Sequence, residues 1–279
     1  MKELFDKVSN KCSKLTTRLY STSFSIGISI LDKTYRMPIY AIYGFVRFAD
    51  EIVDTFHDYD KKELLNEFWE DTYKAIDRKI SLNPVLNSFQ KVVHEYSINK
   101  ELIDTFLKSM EMDLYETPEY DQETYEKYIL GSAEVVGLMC LKVFTEGNEQ
   151  EYERLKPYAM SLGSAFQKIN FLRDMHHDYN LLGRRYFPGV SFNHFTDSEK
   201  KEILIDIKKD FTKGLQGIKM LNKGARFGVY VAYAYYYKLL LKIANTPTNQ
   251  LLESRIRIPN REKYYLLASS YFKHQMNLI

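Results

Sequence analysis

Cysteine is nearly absent. Cys12 and Cys140 are the only two in 279 residues, too few for a disulfide framework or a zinc knuckle and in keeping with a reducing cytoplasm. No apolar run approaches the ~20 residues that a membrane-spanning helix requires. The amino terminus, Met-Lys-Glu-Leu-Phe-Asp-Lys, lacks the apolar region of a signal peptide. Peripheral contact with a bilayer stays open. Neither sign of charge is in excess: 39 Lys and Arg against 37 Asp and Glu leave +2, which gives no nucleic-acid footprint. Glycine and proline are sparse, at 12 and 7, and no segment is long or biased enough to divide domains. Gly214, Gly217, Gly224 and Gly228 follow no predicted strand and fit no phosphate-loop spacing, so a nucleotide fold is excluded.

Helical periodicity fills the chain instead. Phe5, Val8, Cys12, Leu15 and Leu19 step by three and four residues, as do Leu102, Phe106, Met110 and Leu114. Pro84 and Pro157 stand where they can open helices, and Pro118 and Pro188 punctuate between them. The pattern predicts helices near 3–20, 35–54, 61–79, 84–96, 100–116, 121–145, 150–177, 197–222, 225–244 and 260–275. Strand signals are poor throughout. With 45% hydrophobic residues and 15% aromatics, the expectation is one all-α domain over residues 1–279.

Two acidic patterns carry the chemistry: Asp50-Glu51-Ile-Val-Asp54 and Asp174-Met-His-His-Asp178. Aspartates four apart leave one helix face about one turn apart and repel each other, so they need a partner. A hard dication such as Mg²⁺ takes oxygen ligands from one or two carboxylates and leaves its other positions to water and phosphate. An isolated Asp-x-x-x-Asp is usually a solvated face, and the neighbours decide otherwise here. Gln167, Asn170, Asp174 and Asp178, spaced by 3, 4 and 4, form one oxygen-bearing stripe opposite Ile169 and Leu172. Tyr40, Ile42, Tyr43, Phe45, Val46 and Phe48 make the helix before the first pattern apolar nearly all round, hence buried. Acids at its end need pairing or a metal. Arg47, three residues before Asp50, is either an ion-pair partner or a grip on diphosphate oxygens.

Other signals weigh less. His176 and His177 invite a zinc reading, but neither has a second His four residues away, and Mg²⁺ prefers oxygen. Tyr230, Tyr233 and Tyr237 share one face of an aromatic helix. Core packing is the plain reading, and an aromatic wall that stabilises a carbocation is the functional one. The basic run from Arg255 to Lys263 is either a solvated helix start or a diphosphate cap.

Together these residues resemble the squalene/phytoene synthase family of head-to-head prenyl synthases. The family's second signature reads in full from Leu162-Gly163 through Gln167, Asn170, Arg173-Asp174 and Asp178 to Arg184-Arg185-Tyr186-Phe187-Pro188. Its earlier signature is recognisable in Tyr128-Ile-Leu-Gly-Ser-Ala-Glu134-Val-Val-Gly137. It departs at Ile129 and at Glu134, where a small residue is usual, and Glu134 is expected to crowd or acidify that wall of the tunnel. Ser21-Thr22-Ser23-Phe24 resembles the segment that holds a diphosphate, and Tyr40 to Asp54 resembles the first aspartate-rich helix.

The resemblance implies an isoprenoid-synthase helical bundle around a central cavity. It implies Mg²⁺ (or Mn²⁺) held by Asp50, Asp54, Asn170, Asp174 and Asp178, and no nicotinamide cofactor. Substrate contacts fall to Ser21, Ser23, Phe24, Tyr43, Arg47, Tyr128, Gly137, Gln167, Asn170, Arg173 and Arg255, and Tyr237 joins the four aspartates as a catalytic candidate. The substrates implied are prenyl diphosphates. The Gly-Arg-Arg-Tyr-Phe-Pro ending looks most like bacterial phytoene synthases, which implies geranylgeranyl donors. A C30 synthase using farnesyl diphosphate is the alternative, and a terpene cyclase or a non-catalytic helical scaffold follow. The implied location is cytoplasmic, with peripheral contact to the inner face of the membrane left open.

Overall fold

The computed structural model describes residues 1–115, 120–190 and 195–275, and Pro118 lies outside them. Among the described residues the regular structure is all helical, as the periodicity implies. No described helix is long and apolar enough to cross a membrane. The helices start where the sequence supplies caps. The side chain of Asp60 accepts from Glu63 N before α4 (Lys61–Arg78), and that of Asn148 accepts from Glu151 N before α9 (Glu149–Leu182). Thr196 and Glu199 close a reciprocal capping box at α10 (Asp197–Met220). Pro84 opens α5 (Pro84–Glu95) as expected.

Pro157 does not open a helix; it lies inside α9. A proline in a helix interior costs about 3 kcal/mol, and the long packing of α9 along α10 offsets it. The helix expected over 121–145 is interrupted: α7 (Gln122–Ile129) passes through a π turn at Leu130–Glu134 into α8 (Val135–Phe144). Two short helices were not foreseen, α2 (Thr22–Ile30) and α12 (Thr248–Glu253). The serines, glycine and isoleucines of α2 are weak helix formers, and packing against α11 (Lys223–Asn245) holds it in place.

Two apolar cores flank a central space. One gathers α3 (Lys33–Thr55), α4, α5, α6 (Lys100–Met112) and α8. Its heart is Phe45, stacked on Phe89 at 3.9 Å between centroids. The other gathers α7, α9, α10 and α11 around Ile169, Phe211 and Leu239. As predicted, α3 is buried nearly all round, with Tyr40, Ile42, Phe45 and Ala49 all at 2% exposure or less. α1 (Lys2–Tyr20) crosses α3 and α5 on the outside, and α13 (Asn260–Gln275) lies against α11.

Candidate active site

Between the two cores lies a cavity of about 360 Å³, apolar over most of its wall and polar at one end. Ile42, Tyr43, Val46, Arg47 and Asp50 line it from α3, and Leu155 to Asn170 line it from α9. The fifteen rises of about 1.5 Å from Leu155 to Asn170 make that wall about 22 Å long. Phe24 and Ile28 enter from α2, and Tyr128, Val136 and Gly137 from the α7–α8 unit. Close helix approach shapes it: a Cβ on Gly163 would sit 2.8 Å from the carbonyl oxygen of Ala133.

At the polar end Arg47 and Asp50 line the cavity, and a network of further charges adjoins them. Arg184, just after the glycine that stops α9, reaches across to Asp54 with Nη1–Oδ1 2.7 Å. Its Nε lies 3.4 Å from Oδ1 of Asp113, at the end of α6. Asp113 is almost fully enclosed and accepts from Tyr128 Oη at 2.7 Å. Arg173 donates from Nε to Asp174 at 3.1 Å, and Arg255 Nε closes on the other side of Asp174 at 2.7 Å. Arg47 pairs with both Asp50 and Glu51, and its guanidinium lies 4.3 Å from the ring centroid of Tyr20.

Negative charge still exceeds what these cations neutralise. Burial, then repulsion from Asp54, pushes the Asp50 carboxyl up to about 7. Burial, then Asp174, pushes Asp178 up to about 8. Burial pushes Asp113 up to about 7 against the pull of Arg184 and Tyr128, and its buried Oδ1 accepts no hydrogen bond. Carboxylates held this way are poised for a further cation, and their oxygens together with the amide of Asn170 suit a hard dication. The expected convergence on shared ions is not reproduced in the geometry. Among the described residues no three His, Cys, Asp or Glu side chains stand close enough to hold one metal ion. The reason is physical: unscreened acids on facing helices repel, and Asp54 and Asp174 turn to arginines.

The remaining candidates divide. Phe24, Tyr43, Tyr128, Gly137, Gln167 and Asn170 all line the cavity. Gln167 Oε1 accepts from Asn170 Nδ2 at 3.2 Å, and Asn170 Oδ1 accepts from Tyr236 Oη at 3.3 Å. Ser21 caps α2 by accepting from Phe24 N at 3.2 Å, and Ser23 stands half-buried on the first turn of that helix.

Tyr237 is not at the cavity. It packs on Phe211 and stacks on Tyr233, with Tyr230 next in the row. One residue on a helix is a 100° turn, and Tyr236 is the tyrosine that faces inward, stacked on Phe166 at 4.0 Å between centroids. Of the two readings of Tyr230, Tyr233 and Tyr237, core packing is the one the rings show.

Glu134 is also displaced from its expected place. It does not line the tunnel. At the end of the π turn it faces the charges of Asp210, Lys168 and Lys213, and burial, then Asp210, pushes it up to about 7. His176 Nδ1 lies 2.7 Å from the carbonyl oxygen of Leu252 and ties α12 to α9.

Sequence reasoning missed Asp113 and Tyr236 and gave Arg184 no role. Asp113 has no acidic partner at helical spacing, so only the tertiary fold reveals it. Arg184 stood inside the second signature, and a basic residue just past a helix-stopping glycine and an acid-rich helix was its signal.

Comparison with known proteins points the same way. Residues 17–262 match the squalene/phytoene synthase family. A 4,4'-diapophytoene synthase from Staphylococcus haemolyticus is 29% identical over 201 residues, 68% of this chain and 66% of that protein. The match thus spans just under two thirds of that relative's length. A 15-cis-phytoene synthase from Synechocystis sp. is 25% identical over 95% of this chain and 85% of its own. A presqualene diphosphate synthase from Sinorhizobium fredii is 29% identical over 66% of this chain and 65% of its own. The fold is that of a solved dehydrosqualene synthase, with a TM-score of 0.83 at 19% identity over 97% of this chain and 98% of that one. With the family pattern spanning residues 17–262 and the same helical bundle around its site, this chain belongs to the squalene/phytoene synthase family.

Proposed function

We propose that the protein condenses two prenyl diphosphates head to head, carbon 1 to carbon 1, and that the donor is geranylgeranyl diphosphate, giving phytoene. The supporting observation is a cavity with two ends of opposite character. At one end Asp50 and Arg47 line the cavity and belong to a cluster of six acids and four arginines, Arg47, Arg173, Arg184 and Arg255; the rest is a long apolar wall. An extended C20 chain is shorter than the wall that α9 provides.

In this reading Asp50, Asp54, Asp174, Asp178 and Asn170 hold Mg²⁺ or Mn²⁺. The ions would supply positive charge to the departing diphosphate oxygens, where negative charge develops. The arginines orient the two diphosphates, and breaking their present ion pairs frees bidentate donors for phosphate oxygens. Each diphosphate leaves with its bonding electron pair, first to let the second chain's double bond attack and close a cyclopropylcarbinyl diphosphate, then to open that ring. One proton is lost from carbon 1 of the attacking cation as the cyclopropane closes, loss of a second proton after the ring opens ends the sequence, and no reductant enters. Phe24, Phe166 and Tyr236 bring ring faces to the wall, where they exclude water and face developing positive charge.

A second reading, farnesyl donors and a C30 product, is favoured by the 29% identity with the diapophytoene synthase. Incubating the purified protein with Mg²⁺ and each prenyl diphosphate, with and without NADPH, and identifying the product by mass spectrometry separates them. The proposal expects a C40 hydrocarbon without NADPH. A C30 product replaces the donor assignment, and an absolute NADPH requirement replaces the reaction type.

A further inference from the structure

The outer helix α1 is built inside out. Its buried stripe is hydroxylic: Ser9, Ser13 and Thr17 are fully enclosed and Thr16 nearly so. Small residues there let α1 lie close on α3 and α5. Ser13 and Ser88 share a hydrogen bond of 2.6 Å, Asn87 Nδ2 donates to Ser9 Oγ at 3.0 Å, and Gly44 leaves room for Ser13. The apolar stripe faces water instead. Leu4, Val8, Leu15 and Leu19 are 66%, 47%, 57% and 75% exposed, and spacings of 4, 7 and 4 put them in one line.

Lys7, Lys11 and Arg18 run along one edge of this line and all are exposed, with the single exposed acid Glu3 at its start. Asp6 is turned inward and bound to Lys2 and Asn87. The exposed side of α1 is thus an apolar line edged by cations, the pattern of a helix that lies in a bilayer interface. Nineteen residues make it about 28 Å long. Its last residue, Tyr20, packs under Arg47, beside the polar end of the cavity.

We propose that α1 docks this protein on an anionic lipid surface, with Leu4, Val8, Leu15 and Leu19 inserted among the acyl chains and Lys7, Lys11 and Arg18 among the headgroups. Charge complementarity selects this occupant. A second copy meeting the same face would bring like cations together, whereas an anionic surface attracts each of them. The inference stands on α1 alone and holds whatever the donor length proves to be.

Flotation with vesicles tests it, using phosphatidylcholine alone and phosphatidylcholine with phosphatidylglycerol. The full chain should bind the anionic vesicles and bind the neutral ones at least roughly tenfold more weakly. The double variant Leu15→Glu/Leu19→Glu should lose roughly tenfold or more of the anionic binding. It should keep its melting temperature and its turnover of soluble substrate, since both positions are exposed. The pair Lys7→Glu/Lys11→Glu should lose binding in the same assay. Failure of the unaltered chain to float with anionic vesicles overturns the proposal, as does unchanged binding by both variants. A concentration-dependent dimer seen by ultracentrifugation and abolished by Leu15→Glu/Leu19→Glu also overturns it, assigning the face to a second copy.

Discussion

Replacing Asp178 by asparagine should stabilise the metal-free protein, and increasingly so as pH rises. Asp178 is enclosed, its side chain 16% exposed, and burial followed by the charge of Asp174 lifts it from an ordinary 3.8 to about 8. The folded carboxyl keeps a proton that the unfolded chain has already lost, so between about pH 4 and pH 8 the native state binds more protons. Stability then falls as pH rises through that window, and the loss is complete above about 8. Each pKa unit is worth about 1.4 kcal/mol, so the upper limit is roughly 5–6 kcal/mol. Neighbouring acids share that repulsion and the cavity mouth admits water, which reduces the expected gain to about 1–3 kcal/mol. For a chain of this size that is roughly 3–10 °C in melting temperature. Thermal unfolding in EDTA at pH 5 and pH 8.5 checks it. The gap between Asp178→Asn and the unaltered protein should be small at pH 5 and open at pH 8.5. A gap that stays flat with pH, or a variant less stable at pH 8.5, refutes the charge argument.

Other outcomes follow from the same geometry. Asp54→Asn and Asp174→Asn should each lower turnover by about 10²-fold or more while circular dichroism stays unchanged; full activity in both would remove the metal assignment. Arg47→Lys should lower turnover at limiting substrate, because lysine offers no planar fork to phosphate oxygens; kinetics equal to the unaltered enzyme would make Arg47 only the partner of Asp50 and Glu51. Ile28→Ala, in the cavity wall on α2, should cost about 2–5 kcal/mol of stability and, because the proposed tunnel already admits a C20 chain, change the preference between competing C15 and C20 substrates little; a marked shift toward the longer donor would show a shorter tunnel and favour the farnesyl reading. Gly163→Ala should destabilise by about 1–3 kcal/mol in denaturant melts, since its new methyl meets the Ala133 carbonyl; a neutral change would show that α9 and the π turn can separate freely.

The sequence made the helices legible because their periodicity and caps agree. It did not reveal α2, whose residues are poor helix formers and which exists through its packing on α11. The π turn at Leu130–Glu134 was also invisible, since one extra residue in a turn leaves the local pattern intact. Yet that turn carries Glu134 away from the cavity. Spacing located Asp50, Asp54, Asp174 and Asp178 on their faces and set Arg47 beside Asp50, while Arg184, which pairs with Asp54, and Arg255, which pairs with Asp174, come from segments that no helical period connects. Tyr237 was misplaced because an aromatic run of Tyr235-Tyr236-Tyr237 gives no hint of which ring faces inward. The α1 stripe predicted a helix correctly, but periodicity alone does not say which stripe is buried, and there the hydroxyls are.

The central claim is a bond between the first carbons of two prenyl chains. Supplying prenyl diphosphate labelled with ¹³C at carbon 1, with Mg²⁺ and no reductant, and recording the ¹³C spectrum of the hydrocarbon product tests it most directly. The account predicts that both labels fall on the two equivalent central carbons, seen as a single enriched olefinic resonance in a product whose mass carries two labels. Labels at separate junctions along a longer prenyl diphosphate, or diphosphate released with no such hydrocarbon, would contradict it.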